Sequence, residues 1–66
     1  MMEKIGMCIR ERRKELRMTQ AMLAEQSNVN RTTISRLERG MVESCLVSTL
    51  TSIARVLGLN VNIFMS

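Results

Sequence analysis

A chain of 66 residues has room for one small domain, whose folding buries only about 60% of its extended surface and leaves a thin core. Ten Lys and Arg against six acidic residues give a net charge of +4 and a pI near 10.1, the charge sign of a nucleic-acid binder. With no His, no Asp, no glycine-rich phosphate loop and two widely spaced cysteines, Cys8 and Cys45, the composition argues against catalysis, a cofactor or a metal site.

Residues 2 to 17 place Ile5, Cys8, Ile9, Arg12 or Arg13, and Leu16 along one stripe at helical spacing, which predicts an amphipathic first helix. Gly6 costs an exposed helix about 1 kcal/mol relative to Ala, so the helix is expected to fray at its start or to begin after Gly6. Five basic residues lie between positions 10 and 17. The run reads as a solvated helix face rather than a DNA-binding arm, because Glu11 and Glu15 interrupt it and can pair across a turn. Met18 is expected to tuck beneath Thr19.

In residues 19 to 40 two short helical patterns flank a bend. Ala21, Leu23 and Ala24 carry the first, and Ile34 and Leu37 carry the second. Ser27, Asn28 and Val29 leave space for a tight turn, and Asn accepts the left-handed backbone such a turn needs. Thr19 and Asn30 each precede a helical run, where a short oxygen-bearing side chain caps free N–H groups. Two capped helices around a sharp turn form a helix-turn-helix, which can lay its second helix in a DNA major groove.

This stretch resembles the helix-turn-helix of the Cro and phage-repressor family, also called the XRE family. The likeness rests on Thr19-Gln20, Leu23-Ala24, Thr33-Ile34-Ser35 and Leu37-Glu38-Arg39-Gly40, all at the family's spacing. It implies a mainly α, four-helix, lambda-repressor-like DNA-binding domain spanning residues 1–66, with the helix-turn-helix at 19–38. It also implies that Gln20 grips a DNA phosphate and that Arg13 pairs with Glu38.

Base reading is expected from the exposed start of the recognition helix: Arg31, Thr32, Ser35 and Arg36. An arginine can offer paired donors to O6 and N7 of guanine, and Thr32 a methyl to thymine or a hydroxyl to a base or phosphate. Arg36 lies five residues beyond Arg31, about 140° round an α-helix, so it can serve a base or a nearby phosphate. Thr33 reads as a phosphate contact or a structural hydroxyl. Arg39 reads as a phosphate clamp or as a solvated charge that complements the helix dipole. Ser27 occupies a position where the family usually carries an apolar residue.

Gly40 is expected to end the third helix in a left-handed conformation, followed by a loop over residues 41–46. Ser44 or Ser48 can cap a fourth helix whose apolar face is Val47, Leu50, Ile53, Ala54 and Leu57, with Gly58 as its stop. From 59 to 65 the pattern changes to a period of two, which predicts a C-terminal strand. A lone strand leaves its backbone groups unpaired, so Leu59, Val61, Ile63 and Met65 are expected to form a homodimer interface.

The expected function is sequence-specific binding of double-stranded DNA by a cytoplasmic regulator, a repressor acting as a homodimer on a pseudo-palindromic operator, with no membrane or small-molecule partner. The strand resembles that of short antitoxins, and the alternative is an antitoxin that neutralises a protein toxin and autoregulates its operon. A restriction-modification controller would share the fold and DNA-binding mode. Met2, Met7, Met22 and Met65 are expected in the core or at subunit contacts.

Overall fold

A computed structural model of the chain describes residues 2–41 and 47–60, with side chains from Lys4 onward. Four helices follow one another: α1 (Met2–Glu15), α2 (Gln20–Ser27), α3 (Arg31–Glu38) and α4 (Val47–Leu57). α1 and α2 each pack against both α3 and α4. Ile5 and Ile9 from α1 meet Leu23 and Ala24 from α2, Ile34 and Leu37 from α3, and Leu50, Ile53, Ala54 and Leu57 from α4 in one buried cluster. Burying each large aliphatic side chain contributes about 1.5–3 kcal/mol, and that burial holds together helices as short as eight residues that would not persist alone.

One closing device recurs at every helix end. Arg17, Asn28, Gly40 and Gly58 have φ of 57°, 57°, 69° and 69°. Behind each, the next residue's N–H donates to a carbonyl five positions back: Met18 to Arg13, Val29 to Ala24, Met41 to Arg36 and Leu59 to Ala54, at 2.8–3.0 Å. This closure satisfies carbonyls that the helix leaves open and brings the following apolar residue back over the helix. Met18, Val29 and Leu59 pack against the core in this way, whereas Met41 is left 67% exposed.

The caps read from sequence are present. Thr19 Oγ1 accepts from the Met22 N–H at 3.0 Å, and Asn30 Oδ1 accepts from the Thr32 N–H at 2.8 Å. The buried Ser27 hydroxyl donates to the Leu23 carbonyl one turn back, so a polar group stands in the core with its partner supplied by its own helix.

Several expectations are corrected. The first helix starts at Met2 and runs through Gly6, which is buried against α3 rather than frayed. The helix stops at Glu15, and Leu16 and Ala21 fall on exposed surface. Val47 stands at the start of α4, away from its buried stripe, and is 56% exposed. Ser48 lies inside α4 and cannot cap it, while Ser44 and the rest of 42–46 lie outside the described residues. Met7 and Met22 are exposed, which rules out the core and leaves subunit contact as the role expected of them. Of the strand expected over 59–65, Leu59 and Asn60 belong to the turn after α4, and residues 61–65 lie outside the described residues. Leu59 is half-buried against its own chain's core.

Candidate nucleic-acid interface

The α3 helix divides sharply by face. Ile34 and Leu37 are fully buried, three residues apart on the core side. Arg31, Thr32 and Arg36 are exposed, with Ser35 and Thr33 half-buried at the edges. Because Asn30 caps the helix from its extended side, Arg31 and Thr32 emerge in the first turn.

Arg31, Thr32, Ser35 and Arg36 line one open cleft of about 350 Å³, whose remaining walls are Gln20 and Arg39. All four candidate base readers therefore share a concavity with two of the three candidate phosphate ligands. Arg31 and Arg36 converge on it despite their angular separation. Thr33 does not line it.

Behind this cleft α3 is pinned at its C-terminal end. Glu38 Oε2 accepts from Arg13 Nε at 2.8 Å, and Glu38 Oε1 accepts from Arg13 Nη2 at 2.9 Å, a two-pronged pair predicted from the family resemblance. Arg13 Nη1 donates to the Met18 carbonyl at 2.7 Å, so the guanidinium joins α1, the turn after it and α3. The two side chains are 11% and 3% exposed. Hydrogen bonding to Glu38 is the main cause holding the Arg13 pKa above its already high usual value; burial opposes this and the charge of Glu38 supports it. A raised basic pKa means that the stabilisation is complete below the free guanidinium value and fades only at more alkaline pH, so the pair is intact throughout the physiological range. Gln20 Nε2 also donates to Glu38 Oε1, at 3.3 Å, which fixes the first side chain of α2 against the same carboxylate. An amide nitrogen carries two hydrogens, so one is available to a ligand in the cleft.

A second cleft, of about 250 Å³, opens on the other side of Gln20 and Arg39 and is walled by Arg10, Arg13, Lys14 and Glu38. Together the two clefts carry six cations and one carboxylate, a net +5, whereas the whole chain carries +4. All the excess positive charge thus lies on one continuous strip, and the rest of the chain is net −1. Arg10 and Lys14 were absent from the sequence-based site. The signal that could have found them is their spacing of four on α1, off the Ile5–Ile9 stripe. Among the described residues no group of three potential metal ligands occurs. No described helix is long and apolar enough to cross a membrane.

The helix-turn-helix family profile matches residues 9–64, most of the chain. This chain belongs to the XRE-type helix-turn-helix family. Members of the family are DNA-binding transcription regulators. Among solved structures, the N-terminal DNA-binding domain of SinR from Bacillus subtilis is 26% identical, with a TM-score of 0.90 over 97% of this chain and 93% of that one. A SinR structure in complex with DNA is 27% identical, with a TM-score of 0.87 over 94% of this chain and 98% of that one. In the SinR–SinI complex this XRE-type chain spans only 60% of the matched chain. The restriction-modification controller protein C.AhdI from Aeromonas hydrophila is 26% identical, with a TM-score of 0.83 over 92% of this chain and 91% of that one. No curated protein sequence matches.

Proposed function

We propose that the chain binds duplex DNA by sequence and regulates transcription as a homodimeric repressor on a pseudo-palindromic operator. The observation that carries the reading is the cleft in which Arg31, Thr32, Ser35 and Arg36 converge beside Gln20 and Arg39. With α3 in the major groove, Arg31, Thr32 and Ser35 reach base edges and Arg36 a base or a nearby phosphate. Gln20, Thr33 and Arg39 hold phosphates, with the capped start of α2 adding backbone N–H donors and a partial positive charge. Support comes from the likeness to SinR, which has been solved bound to DNA.

Dimerisation rests on residues 61–65, where Val61, Ile63 and Met65 alternate with polar or aromatic neighbours and would pair with the same stretch of a second copy. Two recognition helices would then lie about 34 Å apart and read half-sites one helical turn apart. Likeness to C.AhdI favours one narrower role, that of a restriction-modification controller, with the same DNA mode.

Selection of bound duplexes from a random pool, with stoichiometry measured on the winner, tests the reading. The expected product is an inverted repeat bound by two copies. A chain cut after Asn60, which keeps the Leu59 closure of α4, should bind the same half-site as a monomer. Recovery of no consensus would overturn sequence-specific binding, and a dimer that survives the cut would overturn the role of 61–65.

A further inference from the structure

We propose that Arg10 and Lys14 on α1 form a second phosphate station, which holds the DNA backbone beyond the segment gripped by Gln20 and lengthens the footprint past the reach of the recognition helix. The inference rests on the DNA-binding reading above and assigns a role to residues of α1 outside the helix-turn-helix.

Three observations carry it. First, Gln20 and Arg39 wall both clefts, so an anion in the α1 cleft lies next to an anion at the recognition-helix cleft. A duplex supplies such neighbours, since each strand carries one phosphate about every 3.4 Å of axis. Second, Glu38, the carboxylate in the α1 cleft, does not counter the site. Its side chain is 3% exposed and both of its oxygens accept from Arg13 or Gln20, so the surface presented outward is that of Arg10, Lys14 and Arg39. Third, Arg10 and Lys14 are exposed and four residues apart, a like-charge spacing that is unfavourable in a helix, and among the described residues neither has a carboxylate within ion-pair distance. Arg12 and Arg13, which lie between them, are used inside the fold: Arg12 Nε donates to the Leu57 carbonyl at 3.0 Å and its guanidinium lies 3.7 Å from Glu15, and Arg13 holds Glu38. Four of the five cations of the run thus form two groups of different purpose, two arginines that tie α1 to α3 and α4 and two cations left facing outward on the strip, while Arg17 stands exposed in the turn after α1, outside both clefts.

The test is the salt dependence of duplex binding for the R10A/K14A double variant, with K4A/R55A as a control that removes the same charge from exposed positions off the strip. Each neutralised phosphate contributes about 0.9 to the slope of log affinity against log salt. The R10A/K14A slope should therefore be shallower by about 1.8 for each bound copy and about 3.6 for a dimer, so that between about 50 and about 200 mM salt the unaltered dimer loses on the order of a hundredfold more affinity than the variant, and a single bound copy on the order of tenfold more. The loss should be the same on selected and random duplexes, because phosphate contacts carry no sequence preference. K4A/R55A should keep the original slope. An unchanged slope for R10A/K14A, or equal changes in the two double variants, would overturn the station while leaving the recognition helix's role intact. Absence of salt-dependent duplex binding by the unaltered protein would instead overturn the DNA-binding reading itself.

Discussion

The two ends of α3 are built for opposite purposes. At its C-terminus Glu38 is buried and held by Arg13 and Gln20, and the Leu37 backbone lies so close to α1 that a Cβ added at Gly6 would overlap the Leu37 carbonyl oxygen. At its N-terminus one short side chain, Asn30, closes the helix, and Arg31 and Thr32 project into solvent. The buried contacts are thus concentrated about two turns from Arg31 and Thr32. A helix that presents donors at fixed spacing cannot bury them, so its orientation has to be set by other groups, here the buried Arg13–Glu38 pair.

Changes at the pinned end should have the largest effects. Glu38→Ala strips the partner from a buried guanidinium and should cost about 3–5 kcal/mol in chemical denaturation, enough to unfold much of so small a protein. Removing both Arg13 and Glu38 should cost less than the sum of the two single losses, since no unpaired charge then remains. A double variant that shows simple additivity would mean that the pair is not coupled. Gly6→Ala ranks next. Intrinsic helix propensity predicts a gain of about 1 kcal/mol, but the Cβ would sit 3.0 Å from the Leu37 carbonyl carbon as well as overlapping its oxygen, so a net loss of about 1–3 kcal/mol is expected. A thermal midpoint that rises would show that α1 can move away at little cost.

At the open end stability and binding should separate. Arg31→Ala should leave the unfolding midpoint nearly unchanged and weaken the selected duplex by about 1–3 kcal/mol, with relaxed base preference at one position. Equal losses on selected and random duplexes would reassign Arg31 to a phosphate. Asn30→Ala, which removes the cap oxygen, should cost about 1 kcal/mol of stability, the smallest of these effects. If it instead rivalled Glu38→Ala, the contrast between the two ends would fail.

Much of this architecture was legible because its signals are local. A cap needs an oxygen-bearing side chain within three residues of its N–H, a left-handed turn favours Asn or Gly at one position, and a core stripe needs a period near 3.6; Thr19, Asn28, Asn30, Gly40 and the Leu50–Leu57 face all satisfy such rules within one element, whereas the left-handed Arg17 carries no such signal. Illegible are the residues whose meaning comes from a contact that propensity and periodicity do not register, whether across to another helix or back over a turn. Gly6 scored as a weak helix former because nothing nearby in sequence announces that the α3 backbone crosses over it. Ser27, a polar residue at an apolar position, is accommodated because its hydroxyl donates to the Leu23 carbonyl of its own helix. At Leu59 the alternation that predicts a strand takes no account of the backbone closure onto Ala54 that sets this residue against the core.

By itself, then, the sequence determined the helix-turn-helix: its caps, its turn, the apolar face of its second helix and the family to which it belongs. Spacing and side-chain chemistry within some twenty consecutive residues are sufficient for that. Tertiary structure alone decided how the charge is divided. Arg10, Arg12, Arg13 and Lys14 are near neighbours in a single run, yet packing sends Arg12 to the end of α4, Arg13 to Glu38, and Arg10 and Lys14 to the cleft beside Gln20 and Arg39. Burial and partner geometry make that assignment, and both depend on where the other three helices lie.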